Sequence, residues 1–569
     1  MTDKIIERKP RTFLPESFKV ATWEELAPYY DQLLARPIES VEDLLQWLKD
    51  RSELDAVVSE DYCWRHINKT RDTTNSEFEE HYNYFVKNIE PSRMTASNQL
   101  DKKFSHSRFK DALDNDRFLI YKRNKENDIS LFREENIPLQ VEIQQTANKY
   151  YSIAGKMTIE HDDKELTMQQ AGALFESKDR ELRETIFHKS NERRLEDQTA
   201  LHELFDELLA KRHQVALNAG FENYRDYKLQ AMGRFDYGVK ECEQFHDSVE
   251  ETLIPILDEL YQHRKNVLGV KTLKPYDTSI NLGDKEVPVP FDGTDDLVDK
   301  TITCLNEIDP YFAECLSIMK NMNHLDLDSR KGKAPGGYNC PLAEIGVPFI
   351  FMNSANTAQD IRTMIHEGGH AVHSFLMNDL EYDFDKHLTS EAAELASMSM
   401  EMFALDQYDT FFQSEEDRHN AIYNFLEDVI IKLPWIALVD KFQHWLYTNP
   451  NHTHEERNAK WLELHKRFSS NVVDWSDYEA YEENLWQKQL HIFMVPFYYI
   501  EYGIAQLGAI GLWKNFKDHP KATIESYKKA LKLGYTKPLS EMYETAGIPF
   551  DFSKAHIKSL GEFVKSQLN

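Results

Sequence analysis

Apolar residues recur along this chain at intervals of three and four over most of its length, the spacing that draws one stripe along the face of an α-helix. The pattern predicts charge-rich helices over residues 22–35, 41–53, 75–89 and 99–113, and a further helix over 139–151. The period changes at residues 156–167, where polar and apolar positions alternate around a polar turn and predict a small hairpin. Helices resume from 177 through 217, and a β-prone patch spans 278–291. A Gly/Pro-rich stretch at 331–338 and an apolar, β-branched and aromatic run at 347–353 then predict a turn feeding an edge strand, whose open N–H and C=O groups an extended peptide can pair with.

The helix expected at 356–378 has Thr357 and Asp360 as a capping-box start and Ile361, Met364, Ile365, Val372 and Leu376 as its apolar face. Within it stands His366-Glu367-Gly368-Gly369-His370. Two imidazoles four residues apart share a helix face and can reach one metal ion. Neutral imidazole suits zinc, and the carboxylate beside them is placed to take a proton from a water and hand it to a leaving amine. Each mid-helix glycine costs about 1 kcal/mol relative to alanine. The expectation is that they leave room for a substrate backbone beside the metal.

A catalytic zinc site usually has three protein ligands. The next helix, starting at Thr389-Ser390, carries Glu391, Glu394 and Glu401 with no Lys or Arg between Thr389 and Met402, so at least one carboxylate there wants a buried cation. Spacing leaves Glu391 and Glu394 both open. The run Glu394-Leu-Ala-Ser-Met-Ser-Met-Glu401, 28 residues after His366, resembles the third-ligand helix of the thimet oligopeptidase and oligoendopeptidase F family of zinc peptidases. The resemblance implies Glu394 as metal ligand and Glu401 as a residue that fixes a ligating ring or a neighbouring amide. His373 fits the family's H-E-x-G-H-x-x-H form, with an ordinary helix histidine and a supporting role at the metal both open.

Lys331-Gly-Lys-Ala-Pro-Gly-Gly-Tyr338 and Val347-Pro-Phe-Ile-Phe-Met-Asn353 resemble the family's glycine-rich loop and the strand before its zinc helix. Downstream, Pro496 is expected to open a helix with Tyr498, Tyr502 and Gln506 on one face, while Phe497, Ile500, Ile504, Leu507 and Ile510 form core. Here the resemblance implies that His491, Tyr498 and Tyr502 face the substrate carbonyl, with Tyr499 as the competing tyrosine. It covers roughly residues 140–569 and fades over the first hundred.

Composition agrees with a mostly α fold, because Gly and Pro number only 20 each among 569 residues while 29% are charged. No linker-like tract divides the chain, so an N-terminal helical lobe with the hairpin (1–195) and a zinc catalytic region (196–569) are expected as lobes of one body. The resemblance implies a zincin-type metallopeptidase with a small β-sheet and helical lobes around a deep substrate channel. A net charge of −30 and the lack of a basic stripe argue against a nucleic-acid partner. No apolar run has the length of a membrane span and no signal-like segment opens the chain, so a cytoplasmic, soluble protein is expected. Five scattered cysteines, none in C-x-x-C spacing, indicate neither a disulfide framework nor a cysteine metal site.

The expected activity is therefore zinc-dependent hydrolysis of internal bonds in oligopeptides. His366, His370 and Glu394 would bind one Zn2+, Glu367 would act as base, and His491, Tyr498 and Tyr502 would donate to the developing oxyanion. A carboxypeptidase removing single residues or dipeptides would use the same site. A non-catalytic peptide binder with structural zinc is the third reading, and Glu367 argues against it, since a closed structural site has no use for a base.

Overall fold

The computed structural model describes residues 4–282 and 289–568. Helices dominate, as the periodicity requires, and the strands form one two-stranded and one three-stranded sheet among the described residues. Five helices carry the argument: α1 (Val239–Leu268), α2 (Ala358–Leu376), α3 (Ser390–Ala404), α4 (Glu415–Thr448) and α5 (Tyr499–Asp518). The strands are β1 (Thr158–His161), β2 (Lys164–Thr167), β3 (Leu325–Asp328), β4 (Tyr338–Cys340) and β5 (Phe349–Ser354). The chain forms two compact units, each assembled from distant segments. One comprises Met1–Phe132, Pro288–His419 and Gly508–Phe550; the other comprises Arg133–Val287, Asn420–Leu507 and Asp551–Asn569.

In the first unit, helix Trp23–Ala35 starts where the Thr22 side chain accepts the Glu25 N–H, and helix Val41–Arg71 where Ser40 accepts that of Asp43. The second helix runs 18 residues past the expected end at 53. Its later turns have a tertiary reason to persist, because Ile67, Cys63 and Trp64 cover Phe349, Phe351 and Cys340 of the sheet. The helix expected at 99–113 lies earlier, at Glu90–Ser105, opened by Pro91, and the one expected at 75–89 gives way after Tyr84 to a π-helical turn at Phe85–Ile89. Their core joins Leu26, Leu33, Leu44, Trp47, Leu54, Leu100 and Phe104.

The three-stranded sheet has the order β3-β5-β4, with β5 parallel to β3 and antiparallel to β4. The apolar run at 347–353 therefore supplies a central strand, not the edge expected. Phe349, Ile350, Phe351 and Met352 are all buried, so the absence of polar alternation marked burial on both faces. The edge strands are β3 and β4, and β4 lies at the end of the glycine loop.

The second unit contains the predicted hairpin: β1 pairs with β2 across Asp162 and Asp163, both with positive φ (49° and 58°), as a two-residue I′ turn demands. Helices Asn136–Ala154, Arg180–Glu196 and Gln198–Asn218 flank it in sequence. Within the patch at 278–291, residues 278–282 and 289–291 form no strand, and residues 283–288 lie outside the described residues. Among the described residues, no helix is long and apolar enough to cross a membrane.

Candidate metal centre

The corner between β5 and α2 is set by one carboxylate. Asp360 Oδ2 accepts the backbone N–H of Thr357 (2.8 Å) and Ala355 (3.0 Å) and the hydroxyl of Ser354 (3.0 Å). The capping box with Thr357 is present as expected, and it launches α2 from the strand end with its histidine face defined. Helix α3 packs on α2 at Gly369, where a Cβ would lie 2.6 Å from Ser397 Cα and 3.0 Å from the Ala396 carbonyl oxygen. At Gly368 the nearest atom would be Leu305 Cδ1 at 3.8 Å, an ordinary contact. The expectation that both glycines make room for substrate is corrected at Gly369, which serves close packing of two helices, whereas a Cβ at Gly368 would make only that one ordinary contact.

That packing delivers Glu394 to the two imidazoles. Glu394 Oε2 lies 3.4 Å from His366 Nε2 and 3.8 Å from His370 Nε2, and the two rings stand perpendicular with centroids 4.9 Å apart. Ligand atoms bound to one tetrahedral zinc at about 2.0–2.1 Å are separated by roughly 3.3 Å, so the three donors fit the ion with small side-chain adjustment. Glu394, and not Glu391, lies with the histidines, which spacing alone had left open. The donors remain partly exposed, with 22% and 18% of the two imidazoles accessible, so the centre is open on one side.

Electrostatics favour a cation here. Burial pushes the His366 ring down, but hydrogen bonds to Glu394 and Glu401 raise it well above its ordinary value; a proton held between carboxylates occupies the place a metal would take. His370 is lowered to about 4 by burial and so stays neutral, as a ligand must. His366 Nδ1–H donates to Glu401 Oε1 at 2.6 Å, and Arg362 Nε–H donates to Glu401 Oε2 at 2.5 Å. Despite burial, Arg362 and His366 hold Glu401 down to about 2. Glu401 thus orients the His366 ring. Arg362 was not singled out from sequence, although its position four residues before His366 on the same helix was the available signal. His373 is wholly buried one turn further, kept neutral by burial, and is not among the clustered donors.

Glu367 lies in this environment as a buried carboxyl whose Oε2 has no hydrogen-bond partner among the described residues. Burial, reinforced by Glu394 and Glu401 and opposed by His366, raises it to about 7. That is the range of a group able to accept and return a proton near neutrality. The glycine loop comes up to it: a Cβ on Gly337 would lie 3.8 Å from Glu367 Oε1, and Asn339 Nδ2 lies 3.5 Å from the Glu367 carbonyl oxygen.

His491, Tyr498 and Tyr502 belong to the second unit, where they form one aromatic group. The His491 ring lies 6.3 Å from that of Tyr498 and 5.9 Å from that of Tyr502, and the tyrosine rings are 5.2 Å apart. Tyr499 also joins, 4.7 Å from His491, with its phenol pushed up to about 12 by burial. Pro496 does not open the helix, since α5 begins at Tyr499 and leaves Tyr498 just before it. Between them Phe497 takes φ 68°, a conformation that costs a non-glycine residue roughly 1 kcal/mol or more and must be imposed by its surroundings. Its N–H donates to Gln443 (2.9 Å), and buried Arg234 donates to its carbonyl oxygen and to Glu501 (2.8 Å). Arg234 and Gln443 were invisible to sequence reasoning because they come from elsewhere in the chain. Phe497, Ile500, Ile504, Leu507 and Ile510 are core, as expected.

Comparison with known proteins finds that the profile of peptidase family M3 matches residues 173–292 and 310–562, and that of the peptidase M3 N-terminal domain residues 13–132. The resemblance therefore reaches the first hundred residues, further than the motifs carried it. The oligoendopeptidase F homolog of Borreliella burgdorferi is 22% identical over 414 residues, covering 71% of this chain and 67% of that protein. Oligopeptidase PepF of Bacillus subtilis is 23% identical over 320 residues, 54% of this chain and 46% of that one. Among solved structures, PZ peptidase A with an inhibitor superposes with a TM-score of 0.88 at 25% identity, over 98% of this chain and 99% of that chain.

Proposed function

This chain belongs to peptidase family M3 and is a metallopeptidase, and from that premise we propose that it is a zinc-dependent endopeptidase cutting internal bonds of short oligopeptides. One observation carries the reading: His366, His370 and Glu394 bring three zinc-type donors together on an open face, and beside them Glu367 holds a buried carboxylate oxygen without a partner among the described residues. Three ligands with an open side and an adjacent base suit catalysis, whereas a structural site would be closed by a fourth ligand.

A zinc ion held there would supply Lewis acidity at the scissile carbonyl and make water acidic enough to deprotonate near neutrality. Glu367 takes the proton from the attacking water and returns it to the leaving amine. Glu401, braced by Arg362, holds the His366 ring in the orientation that presents Nε2. The edge of β4 pairs with the backbone of an extended peptide, and Gly337 keeps side-chain bulk away from Glu367. Membership of the peptidase family is what supports assigning His491, Tyr498 and Tyr502 as donors to the carbonyl oxygen as it acquires negative charge, where a fixed donor is worth more than in the ground state.

The test of the endopeptidase mode is digestion of one peptide both free and blocked at its two ends, with mass analysis of the products and metal analysis of the enzyme. Internal cuts in the blocked peptide by a zinc-loaded chain are expected. Cuts only in the free peptide would replace this reading by a carboxypeptidase.

A further inference from the structure

A second group of metal-type donors lies in the second unit, formed by residues with no part in the centre above. Helix α1 supplies Cys242 and His246, and α4 supplies Asp440 and His444, each pair four residues apart and so on one helix face. One donor atom each from Cys242, Asp440 and His444 lies within 4.8 Å of the others. His246 Nε2 is 2.8 Å and His444 Nε2 3.2 Å from the same oxygen, Asp440 Oδ2. The four residues are 1%, 0%, 0% and 7% exposed in the order Cys242, His246, Asp440, His444, so water does not solvate them.

The hydrogen bonding among these residues is incomplete. Asp440 Oδ1, His246 Nδ1 and His444 Nδ1 are buried with no hydrogen-bond partner among the described residues. An unmet polar atom in such a place costs about 1–3 kcal/mol, and the surroundings are aromatic, with Phe497 5.4 Å from the His444 ring. Ligands of a tetrahedral zinc bound at about 2.0–2.3 Å lie roughly 3.3–3.6 Å apart, which the cluster reaches by closing about 1 Å. A thiolate and a carboxylate would neutralise a divalent cation, and sulfur with imidazole selects zinc over magnesium or calcium.

We propose that Cys242, Asp440 and His444 bind a second, structural zinc ion, with Asp440 using both oxygens and His246 holding that carboxylate in place. The Cys242 thiol gives up its proton to solvent as the ion enters during folding. The ion ties α1 to α4 inside the second unit and takes no part in hydrolysis.

The experiment is zinc analysis and zinc-edge X-ray absorption on the holoprotein. The first centre has only nitrogen and oxygen donors, so a sulfur neighbour at about 2.3 Å reports the second site alone, even in the unaltered chain. Two zinc ions per chain with a sulfur neighbour are expected. A His366→Ala/His370→Ala chain should keep one zinc with the sulfur signal undiminished, and Cys242→Ser should abolish that signal. A holoprotein whose zinc shows no sulfur neighbour, or a sulfur signal that survives Cys242→Ser, would overturn the assignment and leave a buried His–Asp–His group without an ion.

Discussion

Replacing Gly369 by alanine puts a methyl carbon 2.6 Å from Ser397 Cα, 3.0 Å from the Ala396 carbonyl oxygen and 3.1 Å from Met400 Cβ. Two of these are backbone atoms that cannot rotate away, so α2 and α3 must separate by roughly 0.8 Å to restore ordinary contact near 3.4 Å. Overpacking of this kind costs about 1–3 kcal/mol. The gain in helix propensity returns about 1 kcal/mol, which leaves a net loss of about 0–2 kcal/mol. The larger effect falls on the metal, because Glu394 rides on α3 and a separation of that size carries its carboxylate away from the two imidazoles. Affinity should fall roughly 10- to 100-fold, the scale seen when a ligand's support is removed. Gly368→Ala is the control: its methyl meets only Leu305 Cδ1 at 3.8 Å, so the variant should be as stable as the parent or more so, with full metal content and unchanged KM. Thermal unfolding, zinc titration against a competing chelator, and kcat and KM on one quenched peptide read all three quantities. If Gly368→Ala instead raises KM at full zinc occupancy while Gly369→Ala binds zinc normally, the glycines serve substrate room after all and the packing argument fails.

Glu367→Gln keeps the side-chain shape and should keep zinc, yet lose about 10²- to 10⁴-fold in kcat, because an amide cannot accept the water's proton; near-parental turnover would remove the mechanism. Glu401→Gln should weaken zinc binding roughly 10- to 100-fold by unfixing the His366 ring, whereas Glu391→Ala should retain zinc; competition titrations showing the reverse would reassign the supporting carboxylate. Tyr498→Phe and Tyr502→Phe should each lower kcat roughly 10- to 1000-fold with folding and zinc content intact, and Tyr499→Phe should change little. All three variants active within a few fold would make the aromatic group simple core.

The histidine helix was legible in the sequence because everything that defines it is local: a cap at Thr357, an apolar stripe, and two imidazoles at i and i+4. The strand at 349–354 was legible as a strand and misplaced in the sheet. An unbroken apolar run reports burial on both faces, but its place in the sheet depends on β3 and β4, which are short and polar enough to leave little signal. Helix Val41–Arg71 outran its predicted end for a similar reason, since its last turns gain their stability by covering Phe349 and Phe351.

By itself the sequence determined which residues could do chemistry: His366, Glu367 and His370 on one helix face, a carboxylate-bearing helix downstream, and an aromatic segment around Tyr498–Tyr502. Periodicity fixes the angular position of each side chain about its own axis, and that information travels no further than the helix. The tertiary structure decided how two helices are rotated and spaced against each other. The Gly369 contact with Ser397 sets that spacing, so that Glu394 meets the imidazoles, Glu401 receives His366 Nδ1, and Arg362 closes the chain of hydrogen bonds. It likewise brought Cys242 and His246 against Asp440 and His444, nearly 200 positions away, where neither pair alone carries a readable motif. Contacts between distant segments depend on complementary packing over the whole core, and no local pattern encodes that sum.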